Sequence, residues 1–476
     1  LNDWTIELYD AQGALLATTV TADDTNGDPG YYEFTLDPGT YTVKEVCQPD
    51  WLQSYPTPTA GCGTGVHDFT IASGDDTNHR DNDFGNYQPA TKSGMKFEDL
   101  DADGIKDGGE PGLDGWTTIK VFNDLDDSDS LTAGDTLEAE QVTGTNGAYS
   151  FELAPGEYVV CEVAQGIAGS TWTQSYPNVA ATVDVCKTTE AIGAGLAPNG
   201  YAITLTSGQN DSGNDFGNWR YATKSGVKFE DLDANGKPRE SGEPGVEGVK
   251  IYVDYNDNSK LDSGEPSAVT AADGTYTITG VKPGTYKVRE VLPAGWTCSY
   301  PNAGTEAAPV TSTQCYHTDT FTSGAALTGN DFGNWRTARI IVVKQTVPAS
   351  STQTFGFAGD LVGTIGHNGS IGKDVAPGTY STTEALPDGW TLGSIVCDDT
   401  DSTGNTTSAT ATYNVVSNET VTCTFTNTEP EVVTTPLPTE SLKPTDMLFT
   451  TDTLGPADDG DPMGSLFTWA LWLALS

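Results

Sequence analysis

The stretch from Gly94 to Gly112, GMKFEDLDADGIKDGGEPG, constrains the chain more than any other. It opens as a short apolar strand and runs straight into carboxylates. Asp99, Asp101, Asp103, Gly104 and Glu110 fit the loop pattern D-x-[DN]-x-[DN]-G-x5-E, with Asp107 as a further oxygen donor. A hard cation such as Ca2+ takes about six to eight oxygens. Alternating side chains converge on it, Gly permits the sharp turn, and the last Glu can bind through both oxygens. The stretch returns as GVKFEDLDANGKPRESGEPG from Gly226. The chain is therefore built of repeated units with acidic loops, and its function is to be read from the array.

The second copy is less regular. Asp231, Asp233 and Asn235 match, Glu243 falls one residue late, and Arg239 replaces an acid. A further loop in the same unit, DYNDNSKLDSGE, offers Asp254, Asn256, Asn258, Asp262 and Glu265, with Ser259 where Gly is usual. Its counterpart in the preceding unit, with Asp124, Asp126, Ser128 and Asp135, is a poorer match. The expected role of the metal is structural stiffening.

A shorter signature marks four units. Pro38-Gly39-Thr40-Tyr41 recurs at Pro155, Pro283 and Pro377, each time as a turn followed by an alternating strand. Seven residues after each Pro stands a Glu: Glu45, Glu162, Glu290 and Glu384. Each unit closes on F-x-N, ending in Asn86, Asn218, Asn334 and Asn427. From the first three of these, ten residues lead to Lys96, Lys228 and Lys344 in the next opening strand. Equal junctions imply a fixed, repeating relation between neighbours. Short β-branched and aromatic runs punctuated by Gly, Pro and Asn predict an all-β chain of tandem sandwiches.

The boundaries fall at 1–88, 89–220, 221–336 and 337–429, hereafter domains one to four. A Pro/Thr-rich stalk at 430–465 and an apolar tail at 466–476 follow. The start LNDWTIELYD aligns with LDGWTTIKVFND from Leu113, so domain one is read as lacking its opening strand. The tail LFTWALWLALS is shorter than the roughly 20 residues that span a bilayer and is read as the beginning of an anchor, attaching the chain to a membrane or cell wall.

The formal net charge of −45 excludes nucleic acid as a partner, because such a chain repels phosphate. Eight Cys form four sequential close pairs: Cys47 with Cys62, Cys161 with Cys186, Cys298 with Cys315, Cys397 with Cys423. One pair per unit argues for local disulfides and an oxidising, extracellular location. The alternative, a thiolate metal site, lacks C-x2-C pairs. No metalloprotease, P-loop, nucleophile-elbow or dinucleotide motif is present, and the reading is not an enzyme. The recurring WLQSYP, WTQSYP and WTCSYP, from Trp51, Trp172 and Trp296, read as sandwich-closing aromatics rather than a ligand platform.

The KFEDLDADG opening, the PGTY-to-Glu strand and the F-x-N close resemble the B-type repeats of serine-aspartate-repeat adhesins. They are similar also to the wider collagen-adhesin B-type and pilin family with a transthyretin-like (Ig-like, prealbumin-like) sandwich. Domain four, with IIVVKQTV and CTFTNTE, looks more like the pilin branch. The resemblance implies bacterial surface stalks, calcium in the loops and, in pilin-type members, a Lys–Asn isopeptide bond promoted by a Glu. Lys344, Glu384 and Asn427 match that triad, and Ile340, Val342 and Lys344 share a face. Lys96 with Glu162 and Asn218, and Lys228 with Glu290 and Asn334, have the spacing but not the alternation. Their lysines are flanked by Met95 and Phe97, or Val227 and Phe229; if those face the core, the lysines face water.

The expectation is a monomeric, extracellular, surface-anchored spacer. The alternatives are an adhesin whose domains themselves recognise host, sugar or neighbouring-cell ligands, and a pilin-like subunit in which another chain's strand completes domain one.

Overall fold

A computed structural model describes the chain except residues 76–79, 116–117, 165, 168–169, 190, 302–314, 430 and 432–476. The apolar tail and, but for residue 431, the stalk lie outside the described residues. Among the described residues there is no α-helix, and strands pair into two facing sheets per domain.

Alternation dictates the faces. In Ala148–Leu153 the side chains of Tyr149, Phe151 and Leu153 are buried and their neighbours exposed. In Thr420–Thr428 the inward stripe is Val421, Cys423, Phe425 and Asn427. The same period of two that buries the first three carries an asparagine into the core.

Domain three shows the plan. One sheet runs Thr275–Val281, Ala222–Glu230, Phe332–Arg336, Trp296–Tyr300; the other runs Ser267–Val269, Lys250–Asp254, Gly284–Glu290, Tyr316–Phe321. The opening strand Ala222–Glu230 pairs in parallel with the closing strand, setting Lys228 beside Phe332. Domain two repeats this with Ala90–Glu98 and Phe216–Arg220, Lys96 beside Phe216. Domain four does so with Ala338–Val347 and Thr420–Thr428, Lys344 beside Phe425. Between the sheets lie apolar cores such as Ile251, Val253, Tyr276, Ile278, Val288 and Phe332.

Domain one has one full sheet, Leu15–Val20, Thr5–Asp10, Gly39–Glu45, Val66–Ile71, facing only a hairpin-like pair, Leu52–Tyr55 with Gly85–Tyr87. Among the described residues no strand pairs with the other edge of Gly85–Tyr87. All four cysteine pairs are disulfides, joined as the sequential pairing predicts.

Candidate functional site

Domains two, three and four are each crossed by a Lys–Glu–Asn rung. The lysine comes from the opening strand, the asparagine from the parallel closing strand, and the glutamate reaches over from the opposite sheet. Lys344 Nζ lies 3.0 Å from Glu384 Oε1, and Asn427 Nδ2 donates to Glu384 Oε2 at 3.0 Å. Lys228 Nζ lies 3.5 Å from Glu290, which accepts from Asn334 Nδ2 at 3.0 Å. Lys96 Nζ contacts Glu162 and lies 2.5 Å from Asn218 Oδ1. Domain one retains Asn86 Nδ2 donating to Glu45 at 2.7 Å. A cavity of about 750 Å³ there is lined by Ile6, Phe34, Val43, Phe69 and Phe84 together with that pair.

The structure corrects the alternation argument for Lys96 and Lys228. Both are fully buried, and so are Phe97 and Phe229 beside them. The strand is covered on both faces. Lys96 points between the sheets, while Phe97 lies under the acidic loop, against Tyr176, with Lys106 over its ring. Bridges from Phe97 to Gly112 and from Phe229 to Gly245 hold the loop there.

Burial governs the charges. It pushes the Lys96 and Lys228 amines down to about 8 and the Glu162 and Glu290 carboxyls up, against the attraction of each lysine for its glutamate. The Lys344 amine is lowered and the Glu45 carboxyl raised for the same reason. Low dielectric thus favours a neutral amine and a protonated acid, the states in which an amine can attack a carboxamide that the acid polarises.

The acidic loops share one backbone. In each, the sixth residue donates its N–H to the first carboxylate: Gly104 to Asp99, Gly236 to Asp231, Asp129 to Asp124, Ser259 to Asp254. That sixth residue has positive φ throughout, from 55° at Asp129 to 74° at Gly104, so glycine suits it and Ser259 is strained there. Glu110 accepts the N–H groups of Leu100 and Asp107. Glu243 holds the matching place through Leu232 and Glu240, so its extra residue is absorbed within the loop.

A cation fits some of these loops better than others. Carboxylate oxygens of Asp99, Asp101 and Glu110 converge, as do those of Asp101, Asp103 and Asp107, and Asp99 Oδ1 is buried without a hydrogen-bond partner. Burial and the charges of Asp103 and Asp99 raise the Asp101 carboxyl, a repulsion a divalent ion would relieve. Asp231, Asp233 and Glu243 also converge, as do Asp124, Asp126 and Asp135. Asn235 turns its amide toward Asp233 and Glu240, and Arg239 folds onto the Glu243 carbonyl. The loop from Asp254 does not fit the expected ion. Arg289 Nε lies 2.7 Å from Asp254 Oδ2, placing the chain's own cation on the first ligand, and Asn256 and Asn258 both donate to Asp262.

The junctions carry a contact that sequence reasoning missed. Glu98, last residue of the domain two opening strand, accepts from Arg220 Nη2 at 3.1 Å and from Ser323 Oγ of domain three at 2.7 Å. Ser323 N–H donates to the Leu100 carbonyl, inside the acidic loop. One domain on, Glu230 accepts from Arg336 at 3.0 Å and from Ser417 Oγ at 2.6 Å, and Ser417 N–H donates to Leu232. Each arginine stacks on a tryptophan of the recurring aromatic motif, Arg220 on Trp172 at 4.5 Å and Arg336 on Trp296 at 4.6 Å. These tryptophans therefore sit at the domain ends, beneath the junction arginines. The only signal in the chain was the recurring FGNWR.

Residues 226–333 match the family described as SdrD B-like domain, and residues 340–429 match the prealbumin-like fold domain. Serine-aspartate repeat-containing protein D of Staphylococcus aureus (strain Newman) is 26% identical over 310 residues, covering 63% of this chain and 21% of that protein. Serine-aspartate repeat-containing protein F of Staphylococcus epidermidis is 28% identical over 299 residues, 59% of this chain and 15% of that one. The chain thus spans about a fifth or less of the length of these curated relatives. Among solved structures, the Bacillus anthracis TIE protein aligns at 12% identity over 89% of this chain and 66% of that one. Its TM-score is 0.28, a likeness too loose to carry further argument. The third domain is thus similar to the SdrD B-like domain and the fourth to the prealbumin-like fold domain.

Proposed function

We propose that the chain is an extracellular spacer within a bacterial cell-surface, adhesin-like protein, stiffened by Ca2+ at the loops from Asp99 and Asp231, by its disulfides, and by Lys–Asn isopeptide bonds. The observation that carries this reading is the placement of each rung. It joins the first strand of a domain to the last, the two strands through which tension enters and leaves. A bond from Lys344 to Asn427, Lys228 to Asn334 or Lys96 to Asn218 would carry the load directly, and the sandwich between would bear none.

The chain's residues supply that chemistry. The neutral lysine amine attacks the asparagine Cγ, the protonated glutamate polarises the carboxamide, and ammonia departs. The closed sandwich excludes water that would compete. Calcium would supply positive charge among Asp99, Asp101, Asp103, Asp107 and Glu110, and among Asp231, Asp233, Asn235 and Glu243. There it would fix the loop whose Leu100 or Leu232 carbonyl receives the next domain. Solution scattering tests the reading. It expects an extended, rod-like particle in millimolar calcium; a compact globule or a fluctuating coil would defeat it.

A second reading, a subunit completed by another chain's strand, is favoured by the edge of Gly85–Tyr87 that no strand pairs among the described residues and by the Glu45–Asn86 pair facing the cavity. A synthetic peptide of the sequence ATKSGMKFE, residues 90–98, tests it. Capture through Asn86 would support strand addition, and no binding at high peptide concentration would reject it.

A further inference from the structure

Domains two and three each hold a second buried lysine on the inward face of the opening strand. Lys92 and Lys224 stand four residues before Lys96 and Lys228, and both are buried. Gly94 and Gly226 lie between the two lysines. A Cβ on Gly94 would fall 2.4 Å from the Asn214 carbonyl oxygen, and one on Gly226 would fall 2.0 Å from that of Asn330. The absent methyl lets the closing segment press against the opening strand. The hydroxyls of Tyr149 and Tyr276 donate to those same carbonyls and hold them there. Asn214 and Asn330 in turn stand four residues before Asn218 and Asn334. Two parallel segments therefore present two lysine–asparagine pairs at matched spacing.

In domain two the second pair meets directly, and in domain three it meets through an acid. Lys92 Nζ donates to Asn214 Oδ1 at 2.6 Å, and Asp211 Oδ2 lies 3.0 Å from the same nitrogen. In domain three Lys224 Nζ lies 3.3 Å from Asp319 Oδ2, the oxygen that also accepts from Asn330 Nδ2. The two acids come from different strands, Asn210–Asp211 and Tyr316–Phe321, yet each reaches the same rung. In domain four the lysine and asparagine places are filled by Ile340 and Cys423, both buried in the apolar core. A lysine needing only a counter-ion would leave the asparagine place free to vary independently.

We propose that Lys92–Asn214 and Lys224–Asn330 are second isopeptide rungs, with Asp211 and Asp319 as their assisting acids. The inference rests on the Lys–Glu–Asn reading above, since it uses the same reaction. The lysine ammonium first gives a proton to the aspartate. The neutral Nζ then attacks Cγ, the new C–N bond forms as the bond to Nδ2 breaks, and the departing nitrogen takes up a proton from Nζ to leave as ammonia. The aspartate releases the proton it held to that ammonia. No oxidant or co-reactant is consumed. An ion pair at rest is no obstacle. Burial already weakens the hold of Lys92 and Lys224 on their protons. Lys92 and Asn214 are in contact, Lys224 and Asn330 are held on one carboxylate oxygen of Asp319, and loss of ammonia makes the step one-way, so a sparsely visited neutral state suffices.

Proteolytic digestion of the full chain, reduced and denatured, followed by mass spectrometry tests this. The expected result is branched peptides joining Lys92 to Asn214 and Lys224 to Asn330, each lighter by one ammonia, with no tryptic cleavage after either lysine. Linear peptides ending at Lys92 and Lys224 would overturn the proposal. The same digest reads Lys96–Asn218 and Lys228–Asn334 separately. Those links present with Lys92 and Lys224 free would sink the inference and leave the proposed function standing; the reverse pattern would do the opposite. Asp211→Ala is expected to abolish the Lys92–Asn214 link while the Lys96–Asn218 link in the same molecules reports a folded domain. Survival of the Lys92 link in that variant would overturn the role given to the acid.

Discussion

Domains one and three differ in one sheet, where domain three has the opening strand Ala222–Glu230 and its neighbour Thr275–Val281 and domain one, among the described residues, has neither. Both have the Pro-Gly strand with its inward glutamate, the closing strand with its asparagine, and a local disulfide. Domain three adds Ala222–Glu230, and that strand brings with it Lys224, Lys228, the junction residue Glu230 and the entry to the acidic loop at Asp231. Domain one, as described, has none of these. Its buried cluster is Ile6, Leu8 and Val43 with half-buried aromatics around it, against ten buried residues in domain three. The opening strand thus does four jobs at once. It centres a sheet, places the lysine, leads into the acidic loop and reaches the next domain.

The contrast can be broken most severely at the rung. Asn334→Ala together with Asn330→Ala, which removes both links from domain three, should make it behave more like domain one. A cross-link closing a loop of this length is worth about 5 kcal/mol by the loop-closure argument. The calorimetric transition of domain three should therefore fall by roughly 20 °C or more. Chelation is the next largest effect. Removing an ion held at about 100 to 1,000 times its dissociation constant takes away about 3–4 kcal/mol. Domains two and three should melt earlier in chelator, while domains one and four, without the acidic opening loop, should not move.

A pH series sharpens the comparison further. In Asn218→Ala the Lys96 amine cannot be consumed, and its folded value of about 8 lies below the ordinary 10.5. Between those values the unfolded chain binds the lysine proton and the folded chain does not, so stability rises with pH across that window. The melting temperature of the variant should climb by a few degrees there, whereas the linked parent should lack that climb. The smallest effect belongs to the junction. Glu230→Ala removes a buried carboxylate that pairs with the partly exposed Arg336 and accepts from Ser417, and should lower domain stability by about 1 kcal/mol. It should still broaden the distance distribution between dyes on domains three and four, the readout that separates a clamp from a decorative salt bridge.

Much of this is legible in the sequence. The strand-turn signature located the glutamates, the F-x-N close located the asparagines, and the alternation Ile340, Val342, Lys344 pointed one lysine inward. The same rule misjudged Lys96 and Lys228, because it assumes one wet face. Phe97 and Phe229 are covered by the acidic loops, and a strand buried on both sides has no face to spare for water. Arg289 was missed for a related reason. The cation that neutralises Asp254 sits on another strand, 35 residues away. The Glu98–Ser323 contact spans 225 residues, and the recurring FGNWR marks only its arginine. Lys92 and Lys224 carry no comparable sign, because their partners Asn214 and Asn330 lie more than 100 residues away and approach through Gly94 and Gly226.

Pulling a single chain by its two ends tests the central claim most directly. If the rungs of domains two, three and four are covalent, those domains should extend without releasing the chain between their first and last strands, and only domain one should unravel. Unfolding steps that release the full lengths between Lys96 and Asn218, Lys228 and Asn334, and Lys344 and Asn427 would contradict the account.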